Sequence, residues 1–134
     1  MDIPTSLDAE ADFDPLRLEH QLCFPLYAAT NLIQRVYRPL LEPLGLTYSQ
    51  YLVMLVLWER GSVNVGDLRA CLHLDNGTVT PLLKRMERAG FVTRRRDADD
   101  ERRVIVALSP LGASLHERAK AIPTTLASRL AIER

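Results

Sequence analysis

One stretch of the sequence decides the fold: Asp75-Asn76-Gly77-Thr78-Val79-Thr80-Pro81-Leu82-Leu83-Lys84-Arg85-Met86-Glu87-Arg88-Ala89-Gly90. With roughly 100° of rotation per residue, a helix here gathers its large apolar side chains into one stripe. The stripe comprises Val79, Leu82, Leu83 and Met86. The opposite face carries Gly77, Pro81, Lys84, Arg85 and Arg88. The pattern predicts an amphipathic helix with a core on one side and positive charge on the other.

The residues that follow predict a β-hairpin with basic arms. β-Branched residues in Phe91–Arg96 and Arg103–Leu108 flank an acidic turn, Asp97–Glu101. The arginines of the hairpin are Arg94, Arg95, Arg96, Arg102 and Arg103. A basic helix followed by a basic hairpin is the arrangement with which a winged helix contacts DNA.

The segments before the basic helix complete a helix-turn-helix. Thr47–Gln50 reads as a capping box for a helix that contains Tyr51–Trp58, which is apolar on every side and therefore belongs at the centre of the domain. Asn64–Asp67 caps a short helix that ends near Leu72, and Asp75 or Asn76 caps the basic helix. The predicted class is mainly α with a small β-hairpin wing (α+β), a winged helix-turn-helix.

Helices are also predicted on both sides of this region. Residues 1–12 read as a mobile tail, and a helix over about Cys23–Arg38 takes Pro25 in its first turn. Prolines at 39 and 43 should break that helix and leave a short helical turn between them. Near the end of the chain, Ser109-Pro110 opens a last helix with Leu111, Leu115 and Ala119 in register, which Pro123 should kink or interrupt.

The charge is local rather than global. With 134 residues, 47% of them apolar and 25% charged, the chain fits one folded domain, residues 13–134. A net charge of zero argues against a nucleic-acid-binding protein. However, residues 84–103 hold eight of the 17 basic residues against five acids, whereas residues 1–20 hold six acids and one base. Local charge sets the field at a surface, so the basic segment keeps the DNA-binding interpretation open.

Several classes of function find no support. Two cysteines match neither a disulfide framework nor a zinc site, and His20, His73 and His116 are too scattered for a metal or a catalytic base. No phosphate loop or nucleophile motif is present, so we expect no cofactor, no metal and no enzyme. No signal peptide shows, and the longest apolar run is far shorter than the ~20 residues of a membrane span, which predicts a cytoplasmic protein without a membrane partner.

The predicted DNA contacts divide by position. Polar side chains in the first half of the helix suit base edges or phosphates, and the cations of the second half suit phosphates. At the wing tip, Arg102 or Arg103 would approach the minor groove, with Asp100 and Glu101 orienting these arginines. The simpler alternative is a solvated basic face on a helical domain. The full predicted set is Asn76, Thr78, Thr80, Pro81, Lys84, Arg85, Arg88, Arg96, Asp100, Arg102 and Arg103.

Cys23 has two interpretations that spacing does not separate. In an apolar run, a lone cysteine is usually a small core residue. At the start of a helix, however, the helix dipole stabilises a reactive thiolate. Tyr27, Tyr37 and Tyr48 are candidate hydrogen-bond donors to the sulfur, although buried aromatic residues are the default. Cys71, on the short helix, is expected to pack in the core.

Five segments resemble the MarR family and, within it, the organic hydroperoxide-sensing repressors of the OhrR type: Gln21–Ala29, Tyr37–Leu41, Leu46–Leu55, Leu74–Arg85 and Asp100–Arg103. The likeness extends from about Glu19 to Arg118. It implies a homodimer, joined through helices at about 15–43 and 110–134, whose DNA-binding lobes at about 47–108 bind an inverted-repeat operator in double-stranded DNA.

The resemblance also assigns roles. An organic hydroperoxide oxidises Cys23 to a sulfenic acid, which proceeds to a disulfide or sulfenamide, and the repressor then leaves its operator. Tyr37 and Tyr48 of the partner subunit hydrogen-bond the reactive sulfur, Tyr27 lies in the same neighbourhood, and Asp100 orients the wing residue Arg102.

Two features depart from the subgroup. The segment 123–134 has no second, resolving cysteine, and Cys71 does not match that position, so we expect a small cellular thiol to form a mixed disulfide with Cys23. The chain also ends earlier than family members, which predicts a truncated chain or a short dimerisation helix. Two alternatives to a peroxide sensor are a MarR-like repressor released by a small aromatic ligand and, with less support, a thiol peroxidase.

Overall fold

The computed structural model describes residues 13–130, so the predicted tail at 1–12 lies outside the described residues. The described residues fall into two compact units, 13–35 and 36–130. The helices are α1 (Phe24–Leu41), α2 (Tyr48–Arg60), α3 (Val65–Leu72), α4 (Asn76–Arg88), α5 (Pro110–Ala119) and α6 (Ile122–Arg129). The strands are β1 (Ser62–Asn64), β2 (Val92–Arg96) and β3 (Val104–Leu108). The predicted mainly α class with a small wing is confirmed.

The unit 13–35 is held by local contacts. The Asp14 carboxylate accepts the Leu16 N–H at 2.9 Å, a 3₁₀ turn spans Leu18–His20, and the Phe13 ring stacks on His20 with 4.4 Å between centroids. None of its described residues is buried. The most exposed of its large apolar side chains are Leu16, Leu22, Leu26 and Tyr27.

Helix α1 is longer than predicted. Pro25 is its second residue, as expected, but the predicted break at Pro39 is wrong, because the helix continues to Leu41 with that proline inside it. A proline removes one helical hydrogen bond and crowds one carbonyl, and this defect is tolerable in the last turn, where little helix remains to be displaced. A 3₁₀ turn at Glu42–Leu44 follows, and Gly45, with φ of 73°, ends it.

Helix α2 forms the centre of the unit 36–130. Its predicted capping box is confirmed, because the Gln50 N–H donates to Thr47 Oγ1 at 3.3 Å and the Thr47 N–H donates to Gln50 Oε1 at 3.1 Å. Val53, Met54 and Leu57 are fully buried in the core. The expected burial on every side is wrong, however, since Leu55 is 41% exposed. Within this unit, packing covers only part of the helix.

The strands form one antiparallel sheet in the order β1-β3-β2. The predicted hairpin is confirmed, with Val92 opposite Leu108 and Arg96 opposite Val104. Strand β1 was not predicted, because three residues give no recognisable alternation and its pairing with β3 joins segments far apart in sequence. Its middle residue, Val63, pairs with Val106, and both are buried.

The C-terminal helices follow the proline pattern. Ser109 caps α5, with its Oγ accepting the Gly112 N–H at 3.0 Å. Leu115 and Ala119 are buried, whereas Leu111 is 48% exposed. The predicted interruption is confirmed, because α5 ends at Ala119 and α6 carries Pro123 as its second residue.

Membrane-span criteria give a mixed result for residues 13–130. Among the residues that the structure describes, no single helix is both long and apolar enough to cross a membrane. One bent pair, Phe24–Leu44 with Tyr48–Arg60, meets the criteria of length and composition when the two segments are taken together.

Candidate nucleic-acid interface and redox site

Helix α4 separates a buried stripe from an exposed face. Its N-cap is Asp75, whose Oδ1 accepts the Thr78 N–H at 2.8 Å, so one of the two predicted caps is confirmed. The predicted stripe is buried in full, with Val79, Leu82, Leu83 and Met86 each at most 3% exposed. This burial fixes the rotation of the helix. All predicted DNA-contacting residues of α4 are consequently exposed: Asn76, Thr78, Thr80, Pro81, Lys84, Arg85 and Arg88.

At the wing tip, one carboxylate holds two arginines. Asp100 Oδ1 accepts both the backbone N–H of Arg102, at 3.1 Å, and its Nε, at 3.3 Å. Asp100 Oδ2 lies 3.9 Å from Nε of Arg103. The Arg102 side chain is still 92% exposed, so its direction is set while its charge faces solvent. Such an arginine is pre-oriented for an anionic partner.

Glu101 contributes in a different way from that expected. Its backbone carbonyl, rather than its carboxylate, accepts a hydrogen bond from Arg96 Nη1 at 2.8 Å. Within residues 13–130, its carboxylate takes part in no ion pair. The expectation that Glu101 orients Arg102 and Arg103 through its side chain is therefore wrong, and the hydrogen bond instead joins Arg96 of β2 to the tip.

The structure adds one residue that the sequence reasoning missed, Glu87 near the end of α4. Its Oε2 accepts the Arg94 N–H at 3.1 Å, and its Oε1 lies 3.2 Å from Nη2 of the same arginine. The hydrogen bond from Arg94 lowers the pKa of the Glu87 carboxyl. The acid and the base lie seven positions apart across the turn at Gly90, where φ is 86°. The sequence feature that could have predicted this contact is a helix-to-strand turn with an acidic residue before it and a basic residue after it.

A groove of about 430 Å³ lies between the helix-turn-helix and the wing. Asn76 and Thr80 line it from α4, and Arg94, Arg102 and Arg103 line it from the hairpin. The predicted polar positions of the helix and the predicted wing arginines therefore border one concave, cationic surface. That combination suits a phosphate backbone together with base edges.

Cys23 lies immediately before α1, and its carbonyl accepts the Tyr27 N–H at 3.1 Å in the first helical hydrogen bond. The thiol is exposed, so the unit 13–35 does not bury it as a core residue. Tyr27, in the same unit, is 66% exposed. The backbone geometry matches the predicted position at the positive end of a helix.

Tyr37 and Tyr48 lie together in the unit 36–130. Their ring centroids are 4.9 Å apart, and Tyr51 lies 5.7 Å from Tyr37. Burial, and secondarily the neighbouring Tyr48, raises the pKa of the Tyr37 phenol above its ordinary value. The Tyr37 phenol therefore keeps its proton at neutral pH.

The expected packing of Cys71 in the core is wrong. Its thiol is exposed, and Arg60 Nη2 lies 3.5 Å from its Sγ. Leu68 is the fully buried residue of α3, and the side that carries Cys71 is left open.

Comparisons with known proteins agree with this geometry. The family described as "Transcriptional regulator SarA/Rot" matches residues 35–118. The organic hydroperoxide resistance transcriptional regulator of Bacillus subtilis (strain 168) is 48% identical over 117 residues, which cover 87% of this chain and 80% of the relative.

Among solved structures, reduced AbfR bound to DNA has a TM-score of 0.74 and 37% identity, and the alignment covers 82% of this chain and 81% of AbfR. AbfR of Staphylococcus epidermidis has also been solved in its disulfide form, which aligns with a TM-score of 0.68 and 35% identity over 94% of this chain and 90% of AbfR.

These matches are to transcriptional regulators, which are not enzymes, and they cover the helix-turn-helix, the wing and most of the remaining chain. The chain is a DNA-binding transcriptional regulator that belongs to the MarR family of winged helix-turn-helix proteins, in its OhrR subgroup.

Proposed function

We propose that the protein is a cytoplasmic repressor that senses organic hydroperoxides through Cys23 and releases its operator when this cysteine is oxidised. The observation that carries the proposal is the exposed thiol at the first residue before α1. An accessible cysteine sulfur at the start of a helix is within reach of a dissolved peroxide. The similar B. subtilis protein is an organic hydroperoxide resistance regulator, which points to the same class of oxidant.

The chemistry requires one hydroperoxide as the oxidant and two small thiols, one to form a mixed disulfide and one to reduce it. The Cys23 thiolate attacks the terminal oxygen of the hydroperoxide, the O–O bond breaks, and the alkoxide leaves and takes up a proton to become the alcohol. The sulfur, oxidised by two electrons, becomes a sulfenic acid. A small cellular thiol then displaces water from it and forms a mixed disulfide, which a second thiol reduces. No second cysteine of this chain is needed for this sequence of steps.

Tyrosines support the thiolate in this proposal. Tyr37 and Tyr48 of the partner subunit donate phenolic hydrogen bonds to the Cys23 sulfur, and Tyr27 belongs to the same neighbourhood. The raised pKa of Tyr37 is consistent with this role, because a donor must keep its proton while the thiol is ionised. Hydrogen bonds to the charged form stabilise the charge.

The output is the surface formed by α4 and the wing. In the proposed homodimer, two copies of α4 enter successive major grooves of an inverted repeat, and the wing arginine Arg102 enters the flanking minor groove. Asn76, Thr78, Thr80 and Pro81 approach bases or phosphates, whereas Lys84, Arg85, Arg88 and Arg96 approach phosphates. Asp100 sets the direction of Arg102 and Arg103. Oxidation of Cys23 alters the spacing of the two helices.

The test is a gel shift with a duplex that the reduced wild-type protein selects from a random-sequence pool. Adding cumene hydroperoxide and a small thiol should release wild-type protein from this duplex. Cys23→Ser should stay bound, and the matched control Cys71→Ser should release as the wild type does. If Cys23→Ser still releases the duplex on oxidation, the proposed mechanism is wrong.

A second candidate is release by an aromatic ligand. The observation that favours it is an apolar cavity of about 130 Å³ in the unit 36–130, lined among others by Tyr51, Leu55, Trp58 and His116. Release of the Cys23→Ser variant by an aromatic acid, together with insensitivity of the wild type to peroxide, would favour this candidate over the first.

A further inference from the structure

Among residues 13–130, the other ion pairs join residues no more than three positions apart, whereas Glu87 and Arg94 lie seven positions apart. As Asp100 does with Arg102, the Glu87 carboxylate binds both the backbone and the side chain of one arginine, here with distances of 3.1 Å and 3.2 Å. Glu87 belongs to α4 and Arg94 to β2. The contact therefore joins the recognition helix to the first strand of the wing, and it fixes both the position of the strand and the direction of the guanidinium.

Arg94 occupies the junction of the two DNA-facing elements. Its side chain is 24% exposed and lines the groove of about 430 Å³ together with Asn76 and Thr80 of α4 and Arg102 and Arg103 of the hairpin. Its Nε is buried and has no hydrogen-bond partner among residues 13–130. Glu87 is thus the carboxylate that holds this arginine. Without it, Arg94 would add an unpaired cation beside Arg102 and Arg103.

Further contacts connect this junction to the wing tip. From Arg94, β2 runs to Arg96, whose guanidinium donates to the Glu101 carbonyl, and Asp100 in turn holds Arg102. A displacement of β2 at Arg94 would therefore reach Arg102. We propose that Glu87 is a positioning residue for DNA binding: its carboxylate holds the first wing strand against the recognition helix, so that Arg102 and the exposed face of α4 meet the duplex in one fixed geometry.

The charge of Glu87, considered without its positioning role, predicts that its removal strengthens DNA binding. Glu87 is an acidic side chain beside the basic residues of α4 and the wing, and removing a negative charge near phosphates strengthens DNA binding when nothing else changes. A loss of affinity in Glu87→Gln therefore reports positioning, because the charge effect has the opposite sign. Glu101→Gln is the matched control, since this tip carboxylate makes no ion pair among the described residues.

The experiment measures affinity by fluorescence anisotropy with reduced full-length protein and the selected duplex, without peroxide. Glu87→Gln should weaken binding by about three- to tenfold, a range between an exposed and a well-formed charged hydrogen bond. Glu101→Gln should bind as tightly as the wild type or more tightly. Glu87→Asp keeps the charge but shortens the side chain, so it should also weaken binding.

Measuring the effect of Glu87→Gln with and without Arg102 distinguishes positioning of the wing from general destabilisation. In an Arg102→Ala background, the effect of Glu87→Gln should shrink to less than about twofold, because the residue it positions is gone. Arg94→Lys tests the same contact from the other side. It retains the positive charge but not the planar guanidinium, so it should also weaken DNA binding. Equal or tighter binding by Glu87→Gln, or an undiminished loss in the Arg102→Ala background, would overturn the proposal.

Discussion

The proposed DNA-binding surface and the neighbourhood of Cys23 are built in opposite ways. Arg94 and Arg102 are each held by a carboxylate of the same unit, Glu87 and Asp100, and the apolar stripe of α4 in that unit is buried. In residues 13–35, by contrast, no described residue is buried, and the Cys23 thiol is exposed. One unit contains the contacts that orient its functional side chains, whereas the other displays apolar side chains that a single chain leaves in solvent.

This difference indicates where the proposed partner subunit would bind. Exposed apolar side chains can form an interaction surface, and Leu16, Leu22, Leu26 and Tyr27 are between 66% and 89% exposed. A homodimer would cover such a surface and complete the environment of the cysteine. The wing needs no such completion, because its contacts lie within one chain.

The largest expected effect comes from placing a charge on this apolar surface. Leu26→Glu, at a residue that is 70% exposed, should convert the proposed dimer to monomer and lower DNA affinity by at least about 100-fold, because both half-sites are no longer bound together. Analytical ultracentrifugation and anisotropy measure the two results. Leu55→Glu, at an exposed leucine of α2, is the control for the added charge. If the Leu26→Glu variant remained a dimer, residues 13–35 would not be the surface that the partner subunit covers.

In the unit 36–130, position 112 should not tolerate a residue larger than glycine. A Cβ there would overlap the Phe91 carbonyl oxygen, which is a backbone atom and cannot rotate away, and would lie 3.2 Å from Met54 Cε. Gly112→Ala should reduce the free energy of unfolding by about 3 kcal/mol, as urea denaturation at fixed protein concentration would measure.

Ala113→Gly, at the exposed neighbour, should cost only about 1 kcal/mol from helix propensity. If Gly112→Ala were as stable as the wild type, the packing of α5 against the segment at Phe91 would be different from that described.

At the wing tip, Arg102→Ala should weaken DNA binding by about 5- to 100-fold, as expected for an arginine that reads a groove. Arg95→Ala removes the same charge from the arm of the wing and should weaken binding by no more than about threefold. The ratio of the two losses tests whether orientation by Asp100, rather than charge alone, makes the tip effective. Equal losses for both variants would argue against a special role of the tip.

The smallest effect concerns two tyrosines, the half-buried Tyr37 and the buried Tyr51. Burial is the main cause that raises the pKa of both Tyr37 and Tyr51, so the folded protein holds these protons more tightly than the unfolded chain does. Their contribution to stability is therefore complete below about pH 10, the ordinary tyrosine value, and is lost as the pH rises through the higher folded pKa. Urea unfolding between neutral and strongly alkaline pH should show this loss, and Tyr37→Phe should reduce it. A pH dependence that is unchanged in Tyr37→Phe would contradict the assignment.

Local signals predicted local structure. The caps at Thr47, Asp75 and Ser109 were readable because a capping side chain and the N–H that it accepts lie within three residues of each other. The buried stripe of α4 was readable because helical periodicity alone defines it. The hairpin was found for a similar reason, since alternating arms flank a polar turn.

Features that depend on distant neighbours were missed. Strand β1 forms because Val63 pairs with Val106, a residue far away in sequence. The exposure of Cys71 depends on which side of α3 the other elements cover. The Glu87–Arg94 contact needs a known angle between helix and strand, which spacing does not give. For the same reason, the sequence indicated which residues are cationic but not which of them are held in place.

The position of β2 has a consequence for solubility. It forms one edge of the three-stranded sheet, and an exposed sheet edge can pair with a strand of another molecule and begin aggregation. Here the edge strand carries Arg94, Arg95 and Arg96 in succession, and Glu87 already accepts the Arg94 N–H. Mutual repulsion and an occupied donor both discourage pairing between molecules. The charges that suit a polyanion thus also protect the small sheet from aggregation through its edge.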